Sequence, residues 1–257
     1  MSLEVKNLTF SYGKRKVLED ISFDIPDGCL CTLLGANASG KTTMFKCILG
    51  MFKKYNGEIK IDGVSTKELT PKQLAHKLAY IPQIHGASFE YSVRDMVLMG
   101  TDHMLDPLAV PGKTQIEKAE AAIEKVGLLN KINKFFTRLS GGEQQLVLIA
   151  RALAQGSKTL LMDEPTSALD YGNQNLIMEQ VSNLAKDGYC VLVSTHTPQH
   201  ALWYANKILA LKDHVIIADG SSEILDEKLV ESLYGIDTGF LETEAGKIIY
   251  PKSIRGV

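Results

Sequence analysis

The sequence predicts an α/β fold: a core with a parallel sheet, an antiparallel β subdomain at the N-terminus and an inserted α-helical subdomain. Three observations predict it. Short apolar runs alternate with segments of helical periodicity on both sides of the chain's middle, as in a parallel sheet with helices packed on its faces. Residues 29–34 are apolar on both faces, the pattern of a central strand covered from each side, and lead straight into a glycine-containing turn at 35–42. From about residue 88 to 155 the alternation gives way to helical periodicity alone.

The elements follow in order. Leu3, Val5, Leu8 and Phe10, then Val17, Ile21, Phe23 and Ile25, have the period of two strands joined through Tyr12-Gly13-Lys14-Arg15. The basic run Lys14-Arg15-Lys16 then reads as a solvated hairpin tip. A helix is expected over 42–49, closed by Gly50. Strands are expected at 57–61 and 78–81, with Thr70-Pro71 between them as N-cap and first helical residue. In the helical part Ile116, Ala119, Ile123 and Val126 recur at helical spacing up to Gly127, after a loop around Asp106-Pro107 and Pro111-Gly112. Strand and helix then alternate again through 159–162, a long helix after Asp170, 190–194 and 208–211, before short strands around one helix near 229–234. The organisation is a single domain over 1–257: 1–87 and 156–220 form the core with its antiparallel portion, 88–155 the helical subdomain, and 221–257 a short tail.

Composition narrows the function. Apolar residues at 45% and charged residues at 23% are those of an ordinary globular protein, and a net charge of -2 gives no electrostatic footprint for nucleic acid. Cys29, Cys31, Cys47 and Cys190 lack the paired spacing of a zinc site and read as small buried hydrophobes in a reducing compartment. The N-terminus has no basic region followed by an apolar core, and no apolar run approaches the roughly 20 residues that span a bilayer. A cytoplasmic chain is expected, at a membrane only if a partner holds it there.

Three separated segments carry chemistry. Gly35-Ala36-Asn37-Ala38-Ser39-Gly40-Lys41-Thr42 has the P-loop spacing, in which backbone amides and a lysine wrap phosphate while a threonine hydroxyl reaches magnesium. The bland alternative is a strand, a turn and a helix with a chance Gly-Lys pair. If position 38 needs a positive φ, the Cβ of Ala38 strains the loop by about 1 kcal/mol or more. Leu160-Leu161-Met162-Asp163-Glu164 is an apolar strand ending in two carboxylates, as a metal ligand and a catalytic base require, although such pairs are more often solvated loop residues. In Leu139-Ser140-Gly141-Gly142-Glu143 the serine and glutamate have the spacing of a capping box. Capping leaves the two glycines unexplained, because they weaken a first helical turn unless a ligand needs its amides.

Taken together and in this order, the three segments resemble the ATP-binding cassette (ABC) family, over residues 3 to about 220. The resemblance implies a P-loop NTPase (RecA-like) core that binds ATP and Mg2+. It implies that Gly35, Asn37, Ala38, Ser39, Gly40, Lys41, Thr42 and Thr43 cradle the phosphates, that Thr42 and Asp163 hold Mg2+, and that Glu164 orients or polarises the attacking water. Pro165 and Ser167-Ala168-Leu169-Asp170 resemble the family's D-loop. Tyr12, by itself a turn or core residue, matches the aromatic that stacks on adenine. Gln83, after Ala79-Tyr80-Ile81-Pro82, matches the glutamine that senses Mg2+ and γ-phosphate, and His196 the switch histidine that touches γ-phosphate. Ser140, Gly141 and Gly142 match the signature that meets ATP bound to the other subunit. The chain departs from the family at Ala36 for proline, Ala38 for glycine, Glu143 for glutamine and Thr197 for aspartate.

The resemblance also implies partners: a second copy in a head-to-tail dimer that closes on two ATP molecules. Val93-Arg94-Asp95-Met96-Val97-Leu98-Met99-Gly100 and the compact tail resemble the ATPases of importers for iron-siderophore, haem, cobalamin and related metal chelates. An amphipathic core helix started by Ser92 accounts for the same residues. An importer implies polytopic membrane permease subunits docked after Gln83, indirectly an extracytoplasmic substrate-binding protein, and a peripheral place on the cytoplasmic face of the cell membrane. Two other classes compete. One is a soluble ABC-type ATPase acting as an assembly or scaffold factor, for example in iron-sulfur cluster formation. The other is a DNA-repair or chromosome-associated ATPase, which needs a coiled coil or basic surface that this chain lacks.

Overall fold

The computed structural model describes residues 2–83, 90–104, 109–244 and 246–252. Strands β1 (Leu3–Tyr12) and β2 (Arg15–Ile25) form a hairpin closed by the pair Tyr12 and Arg15, with Gly13 at φ 58° in the turn. Their buried residues alternate with exposed ones because one face packs on the core and the other meets water. Strand β3 (Leu30–Leu34), buried at every position, leads through the glycine-containing turn to α1 (Lys41–Ile48), closed by Gly50 at φ 67°.

Strands β4 (Asn56–Ile61) and β5 (Val64–Ser65) extend the antiparallel sheet in the order β2-β1-β4-β5. Helix α2 (Pro71–Lys77) begins with a complete Thr70/Gln73 capping box and gives way directly to β6 (Leu78–Ile81). The helical part holds α3 (Val93–Leu98), capped by Ser92 and Asp95, a 3-10 turn at Met99–Met104, α4 (Lys113–Lys125) and α5 (Gly141–Gln155). Next come β7 (Thr159–Asp163), α6 (Tyr171–Lys186), β8 (Cys190–Thr195), α7 (Pro198–Tyr204), β9 (Lys207–Lys212) and β10 (Val215–Gly220). Helix α8 (Glu227–Tyr234) and the hairpin β11 (Thr238–Thr243) and β12 (Gly246–Pro251) complete the described chain.

The main sheet has the order β10-β9-β3-β8-β7-β6, parallel except for the antiparallel edge strand β10. Its parallel strands bring the carboxyl ends of β3, β8, β7 and β6 side by side, the place where open α/β sheets bind ligands. One apolar cluster joins this sheet to α3–α6, a second joins its other face to α1 and the antiparallel sheet, and a third lies under α7 and α8. The four cysteines are free and buried, as expected. No helix of the described residues is long and apolar enough to cross a membrane. Helix α7 was not expected: it is two turns long and buries only His200 and Ala201, too few positions to show a period. The loop at Asp106-Pro107 and the segment directly after Gln83 lie outside the described residues.

Candidate active site

The turn from β3 to α1 is shaped by close approach of its backbone. A Cβ on Gly35 would stand 2.6 Å from the Leu211 carbonyl oxygen and 2.7 Å from Ser39 Oγ, so no side chain fits there. Gly40, the N-cap of α1, has φ 113°. Ala38 has φ 64°, so the positive-φ requirement is real and falls on an L-residue. Lys41 is 5% exposed, and its Nζ donates to the carbonyls of Gly35 (2.8 Å) and Ala36 (3.2 Å). Burial pulls its pKa down, against the opposing charges of Glu164, 3.7 Å away, and Asp163.

The two carboxylates come off the end of β7. Asp163 Oδ2 accepts from Thr42 Oγ1 (3.1 Å) and, at the limit of contact, from Tyr80 OH (3.5 Å). Desolvation beside Asp163 pushes the Tyr80 phenol up to about 12, which keeps it a donor. Asp163 Oδ1 accepts from Ser194 Oγ at 2.5 Å. Glu164 has φ 46°, a left-handed backbone that costs about 1–3 kcal/mol and persists only where its surroundings hold it. Its carboxylate lies between Lys41 and His196, whose Nδ1 is 3.3 Å from Oε2. Gln83 Nε2 donates to Ser167 Oγ (2.8 Å), which in turn donates to the Glu164 carbonyl (3.1 Å).

A cavity of about 660 Å³ is lined by Tyr12, Arg15 and Val17, by residues 37–43 of the turn and the start of α1, and by Gln83, Asp163 and Glu164. The residues fit a magnesium-bound triphosphate. A buried amine and a buried Ser39 Oγ without a partner stand at the turn, where phosphate oxygens would satisfy them. Thr42 and Asp163 offer two hard oxygens, and Mg2+ is commonly held by few protein ligands together with substrate phosphates and water. Among the described residues no group of three or more His, Cys, Asp or Glu is placed to hold a metal, so the phosphates would complete the shell. Tyr12, 47% exposed, stands edge-on to Phe10 and Phe52, with its ring at the cavity rim.

Not every expected site residue lies there. Ser140, Gly141 and Gly142 start α5 away from the cavity lining, with Ser140 and Gly141 exposed. The capping box is present: Glu143 N–H donates to Ser140 Oγ (3.3 Å), and Glu143 also pairs with Lys131. A Cβ on Gly142 would stand 2.3 Å from Asn173 Oδ1, so packing against α6 accounts for one of the two glycines. Asp170 caps α6, accepting from Asn173 N (2.9 Å) and Asn173 Nδ2 (2.7 Å), and faces solvent rather than the cavity.

Five residues had been given no site role: Val17, which lines the cavity, and four others. Arg15 is exposed as the hairpin-tip reading required, yet it also lines the cavity, which corrects the view of that run as merely solvated. Tyr80, Ser167 and Ser194 touch the carboxylates or their backbone. Ser194 had a signal: it is polar at the end of an apolar strand that runs beside Asp163.

The family profile described as ABC transporter matches residues 18–167. A Helicobacter pylori protein assigned to iron chelatin transport as its ATP-binding protein is 38% identical over 226 residues, 87% of this chain and 89% of its own length. A chain of an ABC transporter assigned to the metal-chelate type, in an inward-facing conformation, superposes with a TM-score of 0.86 at 30% identity, covering 98% of each chain. The ADP conformation of an ATP-binding cassette superposes with a TM-score of 0.81 at 25% identity, covering 91% of this chain and 98% of that one. With its P-loop, paired carboxylates and signature segment in the family's order, the chain belongs to the ABC transporter family, as an ATP-hydrolysing subunit that binds ATP with Mg2+.

Proposed function

We propose that this chain powers import of a metal chelate, such as an iron-siderophore, haem or cobalamin, through polytopic membrane permease subunits. It works as a single ATPase domain paired head-to-tail with a second copy, peripheral on the cytoplasmic face of the membrane. An extracytoplasmic binding protein would deliver the cargo. What supports the shared site is the exposed N-terminus of α5: Ser140 and Gly141 are exposed, outside the cavity that their own chain builds, although the Ser140 N–H is taken up by the Glu143 carboxylate at 3.1 Å. A helix N-terminus favours anionic oxygens, and a partner's γ-phosphate would supply them. The named relatives support the metal-chelate reading and do not favour a soluble assembly factor.

In this reading Tyr12 stacks on adenine, while Lys41 and the amides of the turn neutralise the β- and γ-phosphates. Bound Mg2+ would supply positive charge to the phosphate oxygens, held by Thr42 and Asp163. Glu164 orients a water for in-line attack on the γ-phosphorus and takes its proton as the bond to the ADP oxygen breaks. His196 steadies Glu164 from 3.3 Å, and Gln83 exchanges Ser167 for the reacting groups. Asp170 and the signature residues act across the dimer interface.

The test is capture of tagged chain from detergent-solubilised membranes, with ATPase activity measured on the complex. A polytopic partner whose presence, with a metal chelate and its binding protein, raises the rate is the expected result. An active chain that never engages a membrane subunit would contradict it.

A further inference from the structure

We propose that Ser194 is a positioning residue for ATP hydrolysis, its single hydroxyl fixing the metal-binding carboxylate and the water-orienting glutamate relative to one another. The inference rests on the roles given to Asp163 and Glu164 above and adds the group that holds them together.

Ser194 lies on β8 in register with Asp163 on β7 and is fully buried. Its Oγ donates to Asp163 Oδ1 at 2.5 Å and accepts from the Glu164 N–H at 3.0 Å. A serine hydroxyl has one proton to give, and it is spent on Asp163; one of its lone pairs is spent on Glu164. The Ser194 carbonyl accepts from the same N–H at 3.2 Å. With Oδ1 tied to Ser194, Asp163 cannot rotate freely, and Oδ2 stays toward Thr42 Oγ1, the other oxygen of the Mg2+ site. The second contact acts on the backbone. Glu164 keeps φ 46° only while something holds it, and its N–H is anchored to Ser194 at one end and its carbonyl to Ser167 at the other. Residues before Ser194 on the strand, Cys190 to Val193, are apolar and buried in the core clusters. The hydroxyl is therefore placed where the strand leaves the core and meets the carboxylates. Groups that orient a metal ligand in this way are worth about 10–100-fold in affinity or activity.

The test compares nucleotide affinity with and without Mg2+ in the wild type, Ser194→Ala and Ser194→Thr, using a non-hydrolysable ATP analogue so that turnover does not enter. In Ser194→Ala the gain in affinity on adding Mg2+ is expected to fall about tenfold. Magnesium-free affinity should stay within about twofold, because Lys41 and the turn are untouched; in a separate assay with ATP as substrate, kcat should drop more than KM rises. Ser194→Thr retains the hydroxyl and should recover most of the magnesium response. Should Thr overfill this buried position, binding of Mn2+ to the Ser194→Ala–analogue complex, read by electron paramagnetic resonance, gives the same answer without it: weakened binding supports the proposal. An unchanged magnesium gain and unchanged Mn2+ affinity in Ser194→Ala would overturn it, as would a loss confined to thermal stability. If the wild type itself gained nothing from Mg2+, the reading of Asp163 and Thr42 as its ligands would fail first.

Discussion

Replacing Ala38 by glycine should stabilise the protein, against the usual direction for alanine-to-glycine changes. At φ 64° the Ala38 Cβ crowds its own backbone, a cost of about 1–2 kcal/mol for an L-residue in the left-handed region. Glycine removes that cost but loses about 0.5–1 kcal/mol through the greater freedom of its unfolded chain. The difference leaves a net gain of roughly 0.5–1 kcal/mol, which for a chain of this size raises Tm by about 1–3 °C. Ala38→Val adds a β-branch at the same φ and should move Tm the other way. Gly40→Ala is the internal control: φ is 113° and the new Cβ would meet the Val17 carbonyl oxygen at 3.0 Å, so stability must fall. Thermal and urea unfolding of the four proteins, without nucleotide, reads the series. If Ala38→Gly unfolds earlier than wild type while Ala38→Val is unchanged, position 38 is not strained and the account of the turn is wrong.

Other perturbations reach the same site from different sides. Arg15→Ala should weaken ATP binding about 3–10-fold and flatten its dependence on salt, since a cation on the cavity wall acts through screened charge; equilibrium titration at two ionic strengths checks it. Lys131, with help from the Ser140 N–H, holds the Glu143 carboxyl below its usual range. That support is present above the unfolded pKa of about 4.5 and is lost as pH falls through the lower folded value. Glu143→Gln keeps the reach of a capping box and should cost no more than about 0.5 kcal/mol at pH 7, discounted for partial exposure, while flattening the acid limb of a stability-against-pH curve. Gly35→Ala forces a contact of 2.6 Å on the Leu211 carbonyl and should cost about 1–3 kcal/mol, seen as a lower urea midpoint.

What the sequence revealed depended on how local the cause was. Strand β3 was legible because a short run apolar on both faces, ending at a glycine turn, suits a covered central strand and is too short for a buried helix. Helices α2, α3 and α6 were legible because Thr70, Ser92 and Asp170 stand where the first turn needs an acceptor. Helix α7 was not, since two turns with two buried positions have no measurable period. The cavity was legible at its floor, where spacing fixes the P-loop, and poorly at its walls. Arg15 reaches it only because the β1–β2 hairpin folds over the turn, and the contact of Gln83 with Ser167 joins residues 84 apart. The left-handed backbone of Glu164 has no signal in its own side chain; it is held by Ser167, three residues on, and by Ser194, which tertiary structure alone brings to it.

The proposed shared site is tested most directly by the mass of Glu164→Gln in solution. Without the carboxylate proposed to take the water's proton, ATP should persist and hold two copies together, so in ATP and Mg2+ the protein should sediment at twice the 28.2 kDa chain mass. Adding Ser140→Arg to the same chain should return it to one copy, because the arginine would block the helix end proposed to receive the partner's γ-phosphate. A Glu164→Gln protein that binds ATP yet stays at 28.2 kDa, or a dimer indifferent to Ser140→Arg, would contradict the account.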